Sequence, residues 1–192
     1  MISAADIVRD HGSYADMRTN RRAGIIPLRE RRRVTLGDLV SLEFENAETL
    51  TFQVQEMVFT ERLESDDDVS HEIEAYSRML PANDSLVATM FIYLRNPEAI
   101  TYELNRLQGL HKVVTIVVDD HVVPGVPITP ADQDHDDVTV SVHVLRFTFA
   151  PAALAAFLDP SIPASVVVEH PEYSDDAPIS PGLRQELIAD LG

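Results

Sequence analysis

Cysteine and tryptophan are absent, lysine occurs once, and only seven of the 192 residues are glycine. Without cysteine there is no disulfide, no zinc ribbon, no Cys-ligated iron–sulfur cluster and no thiol nucleophile. The same absence fits a reducing compartment, so a cytoplasmic location is expected. Few glycines leave little room for a phosphate-cradling loop, and neither GxxxxGK[ST] nor GxGxxG is present. There is no GxSxG elbow and no HExxH. His71-Glu72 begins the latter, but Ala75 stands where the second histidine would be. No apolar run approaches the ~18–20 residues of a spanning helix. The first residues lack a basic start followed by an apolar stretch, so neither a membrane segment nor a signal peptide is expected.

What is present is arginine, and it is unevenly placed. Eight of the fourteen arginines fall in residues 1–33, which carry a net +4, while the remaining 159 residues carry −21. Arginine in large excess over lysine suits a high-GC bacterial source. The acidic body repels nucleic acid and anionic lipid and favours basic partners or cations. The length suits a single domain, read as a basic helical arm (1–33) followed by an acidic body (34–192).

Periodicity predicts the elements. A helix is expected over 3–23 from a Ser3 or Asp6 cap, interrupted by Gly24 and Pro27. Residues 39–45 and 49–61 alternate and flank Asn46-Ala47-Glu48, which predicts a β-hairpin with Gln53 and Gln55 on an amide-rich face. An acidic loop (64–68), a helix (70–80) and a buried strand (85–94) come next. Asn96-Pro97 opens another helix. Strands are expected at 112–118, 138–149 and 164–170, with a turn-rich stretch over 119–137, a short helix at 151–158 and a last helix opened by Ser180-Pro181. The fold class is therefore α+β: a mixed, mostly antiparallel sheet of about six strands covered by helices.

The segments ERRRVTLGDLVSLEFENAETLTFQVQEMVFTER, EAYSRMLP, LVATMFIYL, VHVLRF and VVVEHPEY, in that order, resemble an uncharacterised bacterial family, a domain of unknown function, over about residues 5–191. The resemblance carries no activity, cofactor or catalytic residue. Members of that family are often encoded near rubrerythrin-like and iron–sulfur oxidoreductase proteins, which implies a redox or oxidative-stress setting.

Three constellations could carry chemistry. His143 and His170 lie on predicted strands. If those strands pair, two imidazoles and a carboxylate such as Glu56 or Glu169 would suit non-haem iron, and the histidine pair alone would suit haem iron. No chelate spacing supports this, so strand histidines bonded to backbone remain the plainer reading. Gln53, Gln55, Glu56 and Arg146 could line a polar or anion-binding pocket. The plainer reading is a Glu56–Arg146 ion pair, because buried charges are paired. Arg31, Arg32 and Arg33 could grip an acidic partner. With only Tyr14 interleaved among the arm's arginines, a nucleic-acid platform is disfavoured, and the arm is expected to fold back on its own acidic residues, such as Asp66–Asp68. Asp132, Asp134, His135, Asp136 and Asp137 lack the glycine and terminal glutamate of an EF-hand. The expectation is a non-enzymatic accessory or ligand-binding protein, working as a protein-interaction module with a redox-related partner; the alternative is a metal or haem protein.

Overall fold

Asn46 sets the conformation of the residues after it. Its side chain accepts from the N–H of Glu48 (3.0 Å) and Thr49 (2.9 Å), and Thr49 Oγ1 accepts from the Asn46 N–H (2.9 Å). This capping box starts a helix, not the hairpin expected from the alternation. In the computed structural model, which describes residues 1–94, 97–128 and 140–191, helix α2 spans Ala47–Thr60. It buries Leu50, Val54 and Val58, at i, i+4 and i+8. Its β-branched residues each cost helix propensity of up to ~0.7 kcal/mol. Burial of the three apolar side chains, about 1.5–3 kcal/mol each, outweighs that.

The chain divides into two compact units, Met1–Arg31 with Glu45–Leu80, and Arg32–Phe44 with Pro81–Gly192. The first is helical. A 3-10 turn at Ala4–Asp6 is capped by Ser3, and α1 spans His11–Arg31, running through Gly24 and Pro27 without the expected interruption. Asp10 starts it, its carboxylate accepting from the Ser13 N–H and hydroxyl (2.8 and 2.5 Å). Helix α3 spans Asp66–Ser77. The expected acidic loop is therefore its first turn: Ser65 caps the Asp68 N–H, and three aspartates sit where the helix dipole favours negative charge.

The second unit corrects the fold class. Among the described residues it has eight strands: β1 (Arg33–Leu36), β2 (Val40–Phe44), β3 (Ser85–Ile92), β4 (Val114–Val118), β5 (His121–Pro127), β6 (Val142–Thr148), β7 (Ala164–His170) and β8 (Tyr173–Pro178). Every neighbouring pair is antiparallel, in the order β1-β2-β3-β6-β5-β4-β7-β8. The sheet curls into a nearly closed barrel, not a six-stranded mixed sheet covered by helices. No ladder joins β1 to β8. Instead the Tyr173 hydroxyl donates to the Leu36 carbonyl (2.6 Å), close beside Gly37, whose positive φ and lack of a Cβ leave room for Tyr173 and Asp175.

Three strands were not expected, β1, β5 and β8; the last two escaped notice for opposite reasons. β5 contains Pro124 and Gly125, which read as a turn. Gly125 is needed because a Cβ there would meet the Phe147 ring at 2.9 Å. β8, YSDDAP, lacks an apolar run. It is an edge strand, and acidic residues and proline suit an exposed edge.

Inward side chains from alternate positions, among them Leu42, Met90, Ile116, Leu145, Phe147 and Val166, fill the core. On β6 it is Leu145 and Phe147 that face inward, while Val142 is exposed. Helices α4 (Ile100–Arg106), α5 (Pro151–Leu158) and α6 (Pro181–Asp190) complete the unit. Arg184 closes the end of α5: its guanidinium donates to the carbonyls of Phe157 (2.7 Å) and Ala156 (3.1 Å) and stacks on the Phe157 ring. The expected Asn96 cap, the 132–137 acidic cluster and the first residues of the 138–149 strand lie outside the described residues.

Candidate ligand-binding pocket

The helical unit holds a cavity of about 410 Å³ near the start of α1 and the end of α2. Such a volume lies within the range of small-molecule sites. Its apolar wall is Val8, Val58, Phe59 and Leu63; its charged rim is Arg9, Asp10, His11, Arg62 and Glu64. Phe59 is held firmly. His11 stacks on it (4.2 Å, 12°), Tyr14 meets it edge-on (5.3 Å), and the Arg18 guanidinium lies 4.8 Å from its ring centre.

Beneath the wall lies a polar network. Arg18 donates to both Glu56 oxygens (Nε 2.9 and 3.2 Å, Nη2 2.7 Å), and the fully buried Tyr14 hydroxyl donates to Glu56 Oε1 (2.9 Å). The bonds from Arg18, above all, hold the Glu56 carboxyl below its ordinary value. Burial, and then the Glu56 carboxylate, push the Tyr14 phenol up to about 12. Near neutral pH the glutamate is charged and the phenol neutral. They position the wall and offer no proton at neutral pH. Gln55 anchors the opposite side, its side-chain oxygen accepting from the Val8 N–H (2.7 Å) and its amide donating to the Val8 carbonyl (2.9 Å). A wider groove of about 880 Å³ runs along α1 and α2, but there Gln55 is already committed to Val8.

Arg62 is the residue that sequence reasoning missed. It lies just beyond α2 with φ 53°, in the left-handed region. Glu61 N–H bonds Met57 O (2.8 Å) and Leu63 N–H bonds Val58 O (3.0 Å), so Arg62 occupies the position where helices usually carry glycine. Its guanidinium has no hydrogen-bond or ion-pair partner among the described residues. An arginine where glycine costs least was the available signal.

The predicted binding residues scatter. Gln53, Gln55 and Glu56 lie on a helix, not on a strand face. Gln53 donates to Glu45 (3.0 Å). Glu56 belongs to Arg18, not to Arg146, which donates to Ser85 Oγ (2.9 Å). Arg32 is buried, bonding the Phe44 carbonyl (2.8 Å), Glu186 (3.3 Å) and Asp190. Arg33 pairs with Glu43 (2.5 Å), and Arg31 bonds the Pro27 carbonyl (3.3 Å). Arg32 and Arg33 thus engage the chain's own carboxylates, though not those of Asp66–Asp68; Asp66 pairs with Arg9.

A family model described as "Protein of unknown function (DUF3501)" matches residues 1–191. The chain belongs to the DUF3501 family. A crystal structure of a novel protein of unknown function from Burkholderia pseudomallei K96243 is similar to this DUF3501 chain throughout, at 30% identity, covering 100% of both chains with a TM-score of 0.90. No curated protein matches. The chain-wide resemblance read from the sequence thus holds for a DUF3501 domain of unknown function.

In this DUF3501 member the two candidate histidines have separate partners. His143 stacks on His111 (4.1 Å, 12°) and its Nε2 donates to the Val140 carbonyl (2.9 Å). Burial holds both of these imidazoles neutral, His111 down to about 4, helped by His143 and Lys112. His170 Nε2 donates to the Gln108 carbonyl (3.0 Å), and its Nδ1 accepts from the Glu172 N–H (3.2 Å). In the ladder β5 and β4 lie between β6 and β7. Among the described residues no group of three or more His, Asp or Glu side chains is placed to hold a metal, and no helix is long and apolar enough to cross a membrane.

Proposed function

We propose that this DUF3501 chain is a small-molecule-binding protein and that the cavity in its helical unit is the site. The observation that carries the reading is a cavity whose apolar wall residues are held in place by neighbouring polar and aromatic side chains. Phe59 is clamped by His11, Tyr14 and Arg18, and Val8 is clamped by Gln55. Preorganised walls of this kind lower the ordering cost of binding. The Tyr14 phenol is pushed up to about 12 and the Glu56 carboxyl below its ordinary value, both away from the near-neutral range where acid–base groups work best, which favours binding over catalysis.

The interaction-module reading draws less support. Arg32 and Arg33, which suggested a gripping arm, bond carboxylates of their own chain. The iron or haem reading would need His143 and His170 to leave their carbonyl partners. A redox-related partner and a cytoplasmic location rest on the family resemblance and composition alone.

The test is a fragment screen followed by amide NMR. Shifts clustered at Val8, His11, Phe59 and Leu63 support the reading. Shifts confined to the barrel, or none across a few hundred fragments, would sink it.

A further inference from the structure

We infer that the pocket selects a small organic monocarboxylate and that Arg62 is its anchor. The inference rests on the pocket being a ligand site. Arg62 sits in a left-handed conformation that side chains resist and glycine accepts freely. A cation at a helix C-terminus gains from the dipole, and α2 has no other basic residue in its last turn. That gain is of the same order as the conformational cost, so it does not explain arginine over glycine. Arg62 borders the cavity, and its guanidinium has no hydrogen-bond or ion-pair partner among the described residues. The other rim cation, Arg9, is already paired with Asp66.

The chemistry of the rim narrows the ligand. A planar guanidinium fits a carboxylate through two parallel N–H donors. Asp10 and Glu64 share the rim, and the chain carries net −17, so a dianion such as phosphate is opposed twice where a monoanion is opposed once. Val8, Val58, Phe59 and Leu63 supply apolar surface for the ligand's body. The expected ligand is therefore a compact apolar group bearing one carboxylate.

The experiment titrates benzoate, its neutral analogue benzamide, and inorganic phosphate into wild type, Arg62→Gly and Arg62→Lys, with a thermal midpoint for each protein. The expected result has four parts. Arg62→Gly melts at or above wild type. It binds benzoate at least tenfold more weakly. Benzamide binding is unchanged. Arg62→Lys falls between. Undiminished benzoate binding by Arg62→Gly would overturn the anchor and leave the pocket standing. Phosphate binding tighter than benzoate would overturn the ligand class. Binding of neither benzoate nor benzamide to wild type would overturn the pocket reading and the anchor with it. A midpoint below wild type in Arg62→Gly would show that the arginine is retained for stability, which also overturns the proposal.

Discussion

In the barrel unit one apolar cluster runs from Val34 on β1 to Leu191 beyond α6. In the helical unit the corresponding cluster is Ile2, Ile7, Leu50, Val54, Val58 and Val69. There, side-chain bonds do much of the positioning: Gln55 to Val8, Arg18 and Tyr14 to Glu56, Arg9 to Asp66. Apolar burial is non-directional and grows with area, so it makes a robust scaffold. Hydrogen bonds are directional, so a small unit built on them can hold a hollow open with its walls in fixed places. The unit with less core is the one with the preorganised cavity.

The largest effect should come from the barrel. Phe147 is fully buried and touches the gap left by Gly125. Phe147→Ala should cost about 3–5 kcal/mol in denaturant unfolding. A cost under about 1 kcal/mol, far below the range for a packed aromatic, would mean the barrel core is not continuous. Gln55→Ala probes the other kind of order. It removes two bonds to Val8 and should cost about 2 kcal/mol. The loss should show as faster amide exchange at Val8 and weaker fragment binding, with barrel amides unchanged. If exchange at Val8 is unaltered, the clamp is not what fixes the wall.

The same contrast explains what could be read from the chain. β2, β3, β4 and β7 were legible because they are rich in apolar and β-branched residues, β3 as a nearly continuous apolar run. β8 was not, because an edge strand with Asp175, Asp176 and Pro178 carries no such mark. α2 was misread because Leu50, Val54 and Val58, spaced by four, satisfy both periods, and Phe52 completes the alternation. The break at Glu56, where an apolar residue would continue the alternation, and the Asn46–Thr49 box both pointed to helix. The site was illegible for a related reason. Its residues come from the start of α1 and the end of α2, some fifty positions apart, and are joined by contacts that no local spacing encodes. Asn46→Ala should cost about 1 kcal/mol and lower the helicity of residues 47–50. An unchanged circular dichroism spectrum and midpoint would show that burial alone sets the helix.

The smallest effect is the finest separation of the two units, by acid. Glu56 has its folded pKa depressed by Arg18, so its contribution is present above the ordinary value of 4.5 and lost as pH falls through the folded value. His111 is depressed from 6.5 to about 4, chiefly by burial, with His143 and Lys112 facing it. Its unfolded form takes up a proton near 6.5, while the folded form resists until near 4. The unfolded state thus binds more protons across that window, and stability falls as pH falls from 6.5. Barrel amides should therefore lose exchange protection between pH 6.5 and 4.5, where those of the helical unit hold. His111→Phe keeps an aromatic ring against His143 and removes one of the two titrating groups, so its barrel curve should be shallower over that window. Parallel curves for wild type and His111→Phe would mean the stacked imidazoles do not carry the barrel's acid sensitivity.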